Sequence, residues 1–227
     1  MAITVMGLAT IGIVAFTRQG LRMYYADRAR VMINRDMRTF TTQMDQDAVQ
    51  ANFFRIYANF TTLTTGSGSS TADAFKQDGE VGDFLLLVYT DPSQASQGIS
   101  IITRLVGYYR EPTGTTVING VTYTTGPIHR FDTDKFSPAF TPVNVTSQTV
   151  FSTIVTNAVT GSISSYPIVQ QLSQGLAVNS SGTVYALFYN LKNRSVMINA
   201  QMAESLTENG TLTQAGNTYN FAVSPRG

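Results

Sequence analysis

The opening of this chain is a long stretch without proline, and it constrains the fold more than any other feature. The first 59 residues contain no proline, and residues 1–17 carry no charge. Charged residues begin at Arg18, and residues 21–60 contain neither glycine nor proline. This pattern predicts one helix that, at about 1.5 Å per residue, is on the order of 85 Å long. Such a helix must project from a domain of this size, so lipid or copies of the same helix are expected to cover its apolar end.

The sequence divides into a stem, a linker and a head. We predict a helix over residues 1–60, with an apolar assembly or membrane half at 1–30 and an amphipathic half at 31–60. Residues 61–82 contain the low-complexity run TTLTTGSGSS and are predicted to be a hinge. Residues 83–227 are predicted to be a β-rich globular head. The amphipathic half carries a stripe of apolar or small residues at helical spacing, which predicts packing on the chain's own head: Met37, Phe40, Met44, Ala48, Ala51, Phe54 and Ala58.

Runs of β-branched and aromatic residues in the head predict antiparallel strands. Asn119-Gly120 lies between β-branched arms and predicts a hairpin with a type I′ turn, while Gly107 predicts a bulge. A long N-terminal helix packed on an antiparallel sheet is an α+β fold. The predicted strands and hairpin arms are Asp83–Thr90, Ile99–Arg110, Thr115–Thr125, Ile128–Phe131, Thr183–Leu191, Ser195–Glu204 and Tyr219–Val223, with short strands or helical turns around Val150–Ala158 and Pro167–Leu172.

The residues that carry chemistry in enzymes are scarce here. The chain contains no cysteine, and His129 is its one histidine, which is expected to be a structural strand residue. Asp132-Thr133-Asp134 resembles the start of a calcium loop but lacks the glycine and the distal glutamate. That turn and the acidic residues within 78–83 are expected to be solvated, with calcium binding as the alternative. We therefore predict a non-enzyme with no catalytic residue, no metal ligand and no cofactor.

Composition points to an exposed, polar surface rather than to a charged partner. Hydrophobic residues make up 43% of the chain and charged residues 13%, against roughly 25% charged in ordinary soluble domains. This composition suits an extracellular protein. The net charge of +1 would not steer a polyanion. Tyr108, Tyr109 and Arg110 lie together in a predicted strand and are expected to pack in the sheet, so no specific nucleic acid is predicted.

The N-terminal segment MAITVMGLATIGIVAFTRQGLRMYYADRARVMINRDMRTF resembles the helix of type IV pilins and of type II secretion pseudopilins. The strand segments DFLLLVYTDP, ITRLVGYYRE and PIHRFD are similar to those of the larger minor pseudopilins. The prepilin peptidase motif and the glutamate of the family are absent. The resemblance therefore implies that the chain begins seven or eight residues into the mature helix, or that it assembles by another route.

The resemblance implies a structural subunit of an extracellular helical filament, a bacterial surface fimbrium with a mechanical and adhesive role. Its implied partners are copies of itself, the inner membrane before assembly, and the pilus or secretion assembly machinery. Two alternatives remain open from the sequence. One is a minor pseudopilin that primes a type II secretion system at the inner membrane. The other is a membrane-anchored binding module that never polymerises.

The predicted assembly surface is the apolar head of the helix with the arginines that follow it. Small residues such as Gly7 and Gly12 would let helix backbones approach one another closely. The arginines are expected to pair with Asp36, Asp45 or Asp47 of an adjacent subunit, or else to point to solvent or lipid phosphate. The predicted assembly residues are Met1, Ile3, Val5, Met6, Gly7, Leu8, Ile11, Gly12, Ile13, Val14, Phe16, Arg18, Arg22, Arg28 and Arg30.

Overall fold

A long N-terminal helix precedes a set of antiparallel strands in the computed structural model. The model describes residues 2–60, 75–91, 100–111, 114–118, 121–136, 140–145, 151, 153–155, 170–171, 176–179, 186–208 and 211–225. Helix α1 covers Ala2–Gln50. The strands are β1 (Phe53–Tyr57), β2 (Val81–Gly82), β3 (Phe84–Asp91), β4 (Ser100–Arg110), β5 (Gly114–Ile118), β6 (Val121–Gly126), β7 (Ile128–Asp132), β8 (Val143–Val145), β9 (Gln170–Gln171), β10 (Leu176–Asn179), β11 (Phe188–Leu191), β12 (Ser195–Glu208) and β13 (Thr211–Val223). The predicted α+β class is confirmed.

The strands form two antiparallel sheets rather than one. Sheet A has the order β1-β3-β4-β7-β9, and β8 pairs with the outer part of β4. Sheet B has the order β2-β11-β12-β10-β6-β5, and β13 pairs along almost all of β12. The predicted hairpins are confirmed, because Ile118 pairs with Val121 and Leu191 pairs with Ser195. The turn residues 119–120 lie outside the described part of the chain.

The predicted end of the helix is wrong. Helix α1 ends at Gln50, and the next residues form strand β1. The backbone N–H of Ala51 still donates to the helical carbonyl of Asp47, at 3.2 Å, but that of Asn52 donates to Val88 in β3, at 2.9 Å. The segment FFRIY is aromatic and β-branched, so it gains more by pairing with β3 than by continuing the helix. The predicted hinge residues 61–74 lie outside the described part of the chain.

The predicted apolar stripe packs on the head from Met37 to Phe54, whereas Ala58 is exposed. Burial of the helix also extends further towards the N-terminus than the predicted stripe, to Ala29. The buried residues of the helix follow one face. The Phe40 ring lies between Tyr108 of sheet A, at 6.0 Å, and Phe221 of sheet B, at 5.9 Å. The helix therefore closes a core formed by both sheets. Its buried apolar residues are Ala29, Ile33, Met37, Phe40, Met44 and Ala48.

Strand β3 is buried on both faces, which explains its continuous apolar sequence. Leu85 and Leu87 face the core under the helix. Phe84 and Leu86 face a second, aromatic cluster on the other side of sheet A. The helical residue Phe151, within the predicted 150–158 segment, belongs to this second cluster. Sheet A is therefore the middle layer of the head.

Gly107 does not form the predicted bulge. It pairs in register with Leu86 on β3 and with Phe131 on β7, and the irregularity of the β3–β4 pair lies between Tyr89 and Thr90. A Cβ atom built on Gly107 would lie 2.0 Å from Cε1 of the Phe131 ring. Glycine is needed here because the aromatic ring occupies the space of a side chain.

We expect Gly107→Ala to lower the free energy of unfolding by about 1–3 kcal/mol, because the added methyl group overpacks the Phe131 ring. Denaturant unfolding of the purified chain measures the change. The matched control is Gly20→Ala, where an added Cβ meets no atom within 4 Å. Equal stability of the two variants would contradict the role assigned to Gly107.

Candidate assembly surface and buried ion-pair network

The first half of α1 extends beyond the core of the head. Ala29, at 1% exposed, is the first buried residue among those whose side chains are described. Before it, Phe16 is 80% exposed and Met6 is 75% exposed. The twenty-seven helical residues before Ala29 correspond to about 40 Å. We call residues 2–28 of the helix the projecting segment.

The predicted assembly residues are placed around the projecting segment rather than gathered on one side. The described ones are all exposed, whether apolar, glycine or arginine. Successive residues of a helix are about 100° apart, so Ile11 and Val14 share one face of the helix, whereas Ile13 points to the opposite side. Met1 and the side chains of Ile3, Val5 and Leu8 lie outside the described part of the chain. A helix that is apolar all round is stable when it is covered on every side. The exposed predicted residues are Met6, Gly7, Ile11, Gly12, Ile13, Val14, Phe16, Arg18, Arg22, Arg28 and Arg30.

The two threonine hydroxyls described in the apolar stretch are satisfied within the helix itself. The hydroxyl of Thr10 donates to the carbonyl of Met6, and that of Thr17 donates to the carbonyl of Ile13, both at 2.8 Å. These hydroxyls therefore need no water or partner. A Cβ built on Gly7 or Gly12 meets no atom within 4 Å, so the chain's own head does not explain either glycine. Among the described helices, none is long and apolar enough to cross a membrane.

The stem arginines are largely unpaired within the chain. Arg30 lies 3.7 Å from Asp27, and both side chains are exposed, so this ion pair contributes little to stability. Arg18, Arg22 and Arg28 form no ion pair with any described residue. These cations are therefore available to groups outside the chain.

The prediction that Asp47 pairs with an adjacent subunit is wrong. Its carboxylate is buried against sheet A and accepts hydrogen bonds from Arg130 Nε, at 2.8 Å, and Arg130 Nη2, at 3.1 Å. The hydroxyl of Tyr108 also donates to it, and Tyr89 donates to the Asp47 backbone carbonyl at 2.7 Å. The helical period explains the error, because Asp47 lies on the same face as Met44 and Ala48. A charge on that face must find its partner in the head.

The other two acids proposed for this pairing differ from Asp47. Asp36 is also nearly buried, and its carboxylate lies 3.4 Å from the guanidinium of Arg35 in the same chain. Asp45 is exposed. Of the three predicted acids, only Asp45 remains open to a neighbouring subunit.

Asp132 of the Asp132-Thr133-Asp134 turn is buried in the same network instead of being solvated, whereas Asp134 is exposed, as predicted. Arg104 donates to Asp132 through Nε at 2.9 Å and Nη2 at 2.6 Å, and Arg130 donates through Nη2 at 2.9 Å. Asp132 is only 2% exposed. Asp47 and Asp132 thus share Arg104 and Arg130 between the helix and sheet A, and the exposed Asp134 lies 3.2 Å from Nε of Arg104. No group of three potential metal ligands occurs among the described residues.

Burial and hydrogen bonding shift the pKa values of Asp132 and Tyr108 in this network. Burial would raise the pKa of Asp132, but the hydrogen bonds and charges of Arg104 and Arg130 outweigh it and hold that pKa below its usual value. Burial raises the pKa of Tyr108, and the charge of Asp47 raises it further, so this hydroxyl stays protonated and donates. Every acceptor is used, so the network offers no open position for chemistry. Its role is structural.

His129 and its neighbours are packing residues, as predicted. The imidazole stacks on Tyr109, with ring centroids 5.3 Å apart, and its Nε2 lies 3.1 Å from a carboxylate oxygen of Glu111. Burial lowers the pKa of His129, and the Glu111 charge opposes this shift. Tyr108, Tyr109 and Arg110 are buried in sheet A rather than displayed for stacking on bases.

Comparison with known proteins adds no assignment, because no protein-family model, curated protein or solved structure matches this chain. The network was missed in the sequence because its members come from distant segments. An available signal was an aspartate within the apolar stripe of α1, since a buried acid requires a cation. Arg104 and Arg130, in predicted strands, were the candidates for that cation.

We expect Asp47→Asn to destabilise the chain by about 3–5 kcal/mol, because it leaves buried arginine charge uncompensated. Urea unfolding is the measurement. The matched control is Asp45→Asn, two residues away and exposed, which should change stability by less than about 0.5 kcal/mol. If the two substitutions cost the same, the network does not hold the helix on the sheet.

Because the pKa of Asp132 is lowered, the free energy of unfolding depends on pH in the acid range. Its contribution is fully present above the ordinary carboxyl value of 3.8 and is lost as pH falls through the lower value of the folded state. Below that ordinary value, the slope of unfolding free energy against pH should be steeper in the original chain than in Asp132→Asn, by up to about 1.4 kcal/mol per pH unit. Identical slopes in a pH series of urea unfolding curves would refute this assignment.

Proposed function

We propose that this chain is a structural subunit that polymerises through the projecting segment into an extracellular helical filament of the type IV pilus kind. The observation that carries the proposal is a helical segment that extends about 40 Å beyond its own head and whose residues 2–17 carry no charge on any side. Copies of the same helix, staggered along a common axis, would cover every side at once. No bond is made or broken in this role.

The energetics of the projecting segment favour such a bundle. Each large apolar side chain removed from water contributes about 1.5–3 kcal/mol when fully buried. Five such residues, exposed here, lie within one short stretch: Met6, Ile11, Ile13, Val14 and Phe16. The internally bonded threonines add no polar group that would need water. Gly7 and Gly12 allow the backbones to approach closely, as small residues do where helices pack in membranes.

The charge distribution supports an assembly with arginines at its rim. Arg18, Arg22 and Arg28 follow the apolar stretch directly. Within the described part of the chain these three have no ionic partner, whereas Asp47 is fully engaged. In a filament the arginines would border the helical bundle and meet solvent or an exposed acid such as Asp45 of a neighbour. Before assembly the same segment would lie in the inner membrane, with arginines near lipid phosphate.

The head would form the outer shell of the filament. It retains its own core and its own ion pairs, so it needs nothing from the projecting segment. Its residues are weakly charged overall, as suits closely spaced copies at a cell surface. The assembly machinery of a pilus or a secretion system is the remaining partner in this proposal.

Replacing both Gly7 and Gly12 by leucine tests the proposal. Leucine is a better helix former than glycine and more apolar, so the helix and its affinity for lipid are retained. Close backbone approach is lost, and we expect filament formation to fail. The matched control replaces both glycines by alanine, which also favours the helix but remains small. Electron microscopy of sheared filaments and membrane fractionation are the two readouts.

The outcomes separate the three candidate functions. Filaments from the alanine variant but not from the leucine variant support the filament subunit. Normal membrane retention and no filament from any version favour the non-polymerising membrane-anchored module. Filaments built from some other chain, with this protein confined to the inner membrane, favour the minor pseudopilin. Normal filaments from the leucine variant would exclude the packing argument.

A further inference from the structure

A cavity of about 640 Å³ opens on the head where α1 passes into β1. Its volume falls in the range of roughly 300–1,000 Å³ that is typical of small-molecule sites. One side is formed by the segment after the helix, including Phe53 and Arg55, and by Phe75 and Lys76. The other side is formed by the turn between β11 and β12 and by the residues after β13. Two distant parts of the chain thus build it.

The charged residues that line this cavity, among those the structure describes, are all positive. They are Arg55, Lys76 and Arg194, and no described aspartate or glutamate contributes to the lining. None of these three cations forms an ion pair with a described residue, although the head pairs its other arginines with aspartates. Three cations so close together repel one another unless an anion lies among them. The cavity is therefore electrostatically suited to a negatively charged ligand.

Arg55 is held in place without any acid. Its guanidinium carbon lies 4.0 Å from the centroid of the Phe75 ring, with Phe53 at 5.4 Å and Phe151 at 5.6 Å. These aromatic faces attract the cation. Its Nε is buried and has no hydrogen-bond partner within the described residues. An unsatisfied charged donor is costly in the empty site, and a planar carboxylate or a phosphate would satisfy it.

The opposite wall is rigid and polar. The buried Asn190 side chain donates to the carbonyl of Lys76 at 2.9 Å and to Asn193 Oδ1 at 2.7 Å, and it accepts from the Asn193 backbone at 3.0 Å. Asn193 adopts a positive φ of 54°, and Lys192 one of 56°. Ser195 and Ser224 hydroxyls lie 2.8 Å apart beside this turn. The wall thus presents amide and hydroxyl groups that can bind the hydroxyls of a ligand.

We propose that this cavity binds a small hydroxylated organic anion, whose carboxylate or phosphate is held by Arg55, Lys76 and Arg194. Arg55 binds the charged group at the aromatic end. Asn193 and the serine pair bind the hydroxyl groups at the other end.

The site is independent of filament assembly. It lies beyond the C-terminal end of α1, roughly 35 Å along the helix from the end of the projecting segment. No residue of the projecting segment contributes to it. Ligand binding and polymerisation can therefore succeed or fail separately, and a subunit in a filament would keep this cavity on its head.

The test titrates the full chain in detergent solution by calorimetry at about 50 mM salt, where electrostatic attraction is weakly screened. The probes are glucuronate for the carboxylate, glucose 6-phosphate for the phosphate and glucose as the neutral counterpart. We expect at least one anion to bind with a dissociation constant of about 1 mM or less, and glucose not to bind. Whichever anion binds more tightly shows whether the site prefers a carboxylate or a phosphate.

Variants locate the binding. Arg55→Gln should weaken the affinity at least about tenfold, which is the effect of losing a charge-assisted hydrogen bond. Arg194→Gln and Lys76→Gln change more accessible residues and keep the test valid if Arg55→Gln fails to fold. The matched control is Arg30→Gln, the same change on the exposed stem. Absence of binding by both anions, equal binding of glucose, or an equal loss in Arg30→Gln would each overturn the proposal.

Discussion

The carboxylate of Asp47 fixes how the long helix lies on the head, and much of the structure follows from it. It is 5% exposed and bonded to Tyr108 and Arg130 of sheet A, so the helix can neither rotate nor slide without leaving a buried charge unpaired. Apolar packing alone would fix the position of the helix less precisely, because similar side chains recur every three or four residues along the stripe. With the helix fixed at this point, its contact with the head ends near Ala29. The point at which the helix leaves the head therefore depends on this ion pair.

Charged side chains inside the head pair with one another, whereas two groups of cations elsewhere have no ionic partner among the described residues. Inside the head, the arginines at the centre of sheet A are matched by aspartates at hydrogen-bonding distance. Arg18, Arg22 and Arg28 of the projecting segment, and the three cations around the cavity, form no ion pair with a described residue. These two places are where the proposed partners bind, a polymer of the same chain at one and a small anion at the other. The net charge of +1 does not show this division, because it is a sum over regions with different roles.

Local patterns in the sequence predicted helix α1 and several of the strands. The elements that these patterns did not predict depend on pairing between distant segments. Helical spacing identified the buried face of α1, and an apolar run identified β3. The helix end was misplaced because FFRIY contains no breaker and Phe54 continues the helical spacing. Its strand state depends on β3, more than 25 residues away in sequence. The cavity was beyond reach for the same reason, since Arg55 and Arg194 meet only once both sheets have formed.

The abrupt passage from helix to strand has a mechanical consequence. Only Ala51 and Asn52 separate α1 from β1, which pairs along its whole length with β3 in sheet A. A pull on the projecting end runs along the helix axis, so the contacts between Ala29 and Ala48 are loaded in shear and share the load. Such contacts must yield together rather than one after another. Tension on the stem would thus reach the strand pairing only after the whole buried face of the helix had given way.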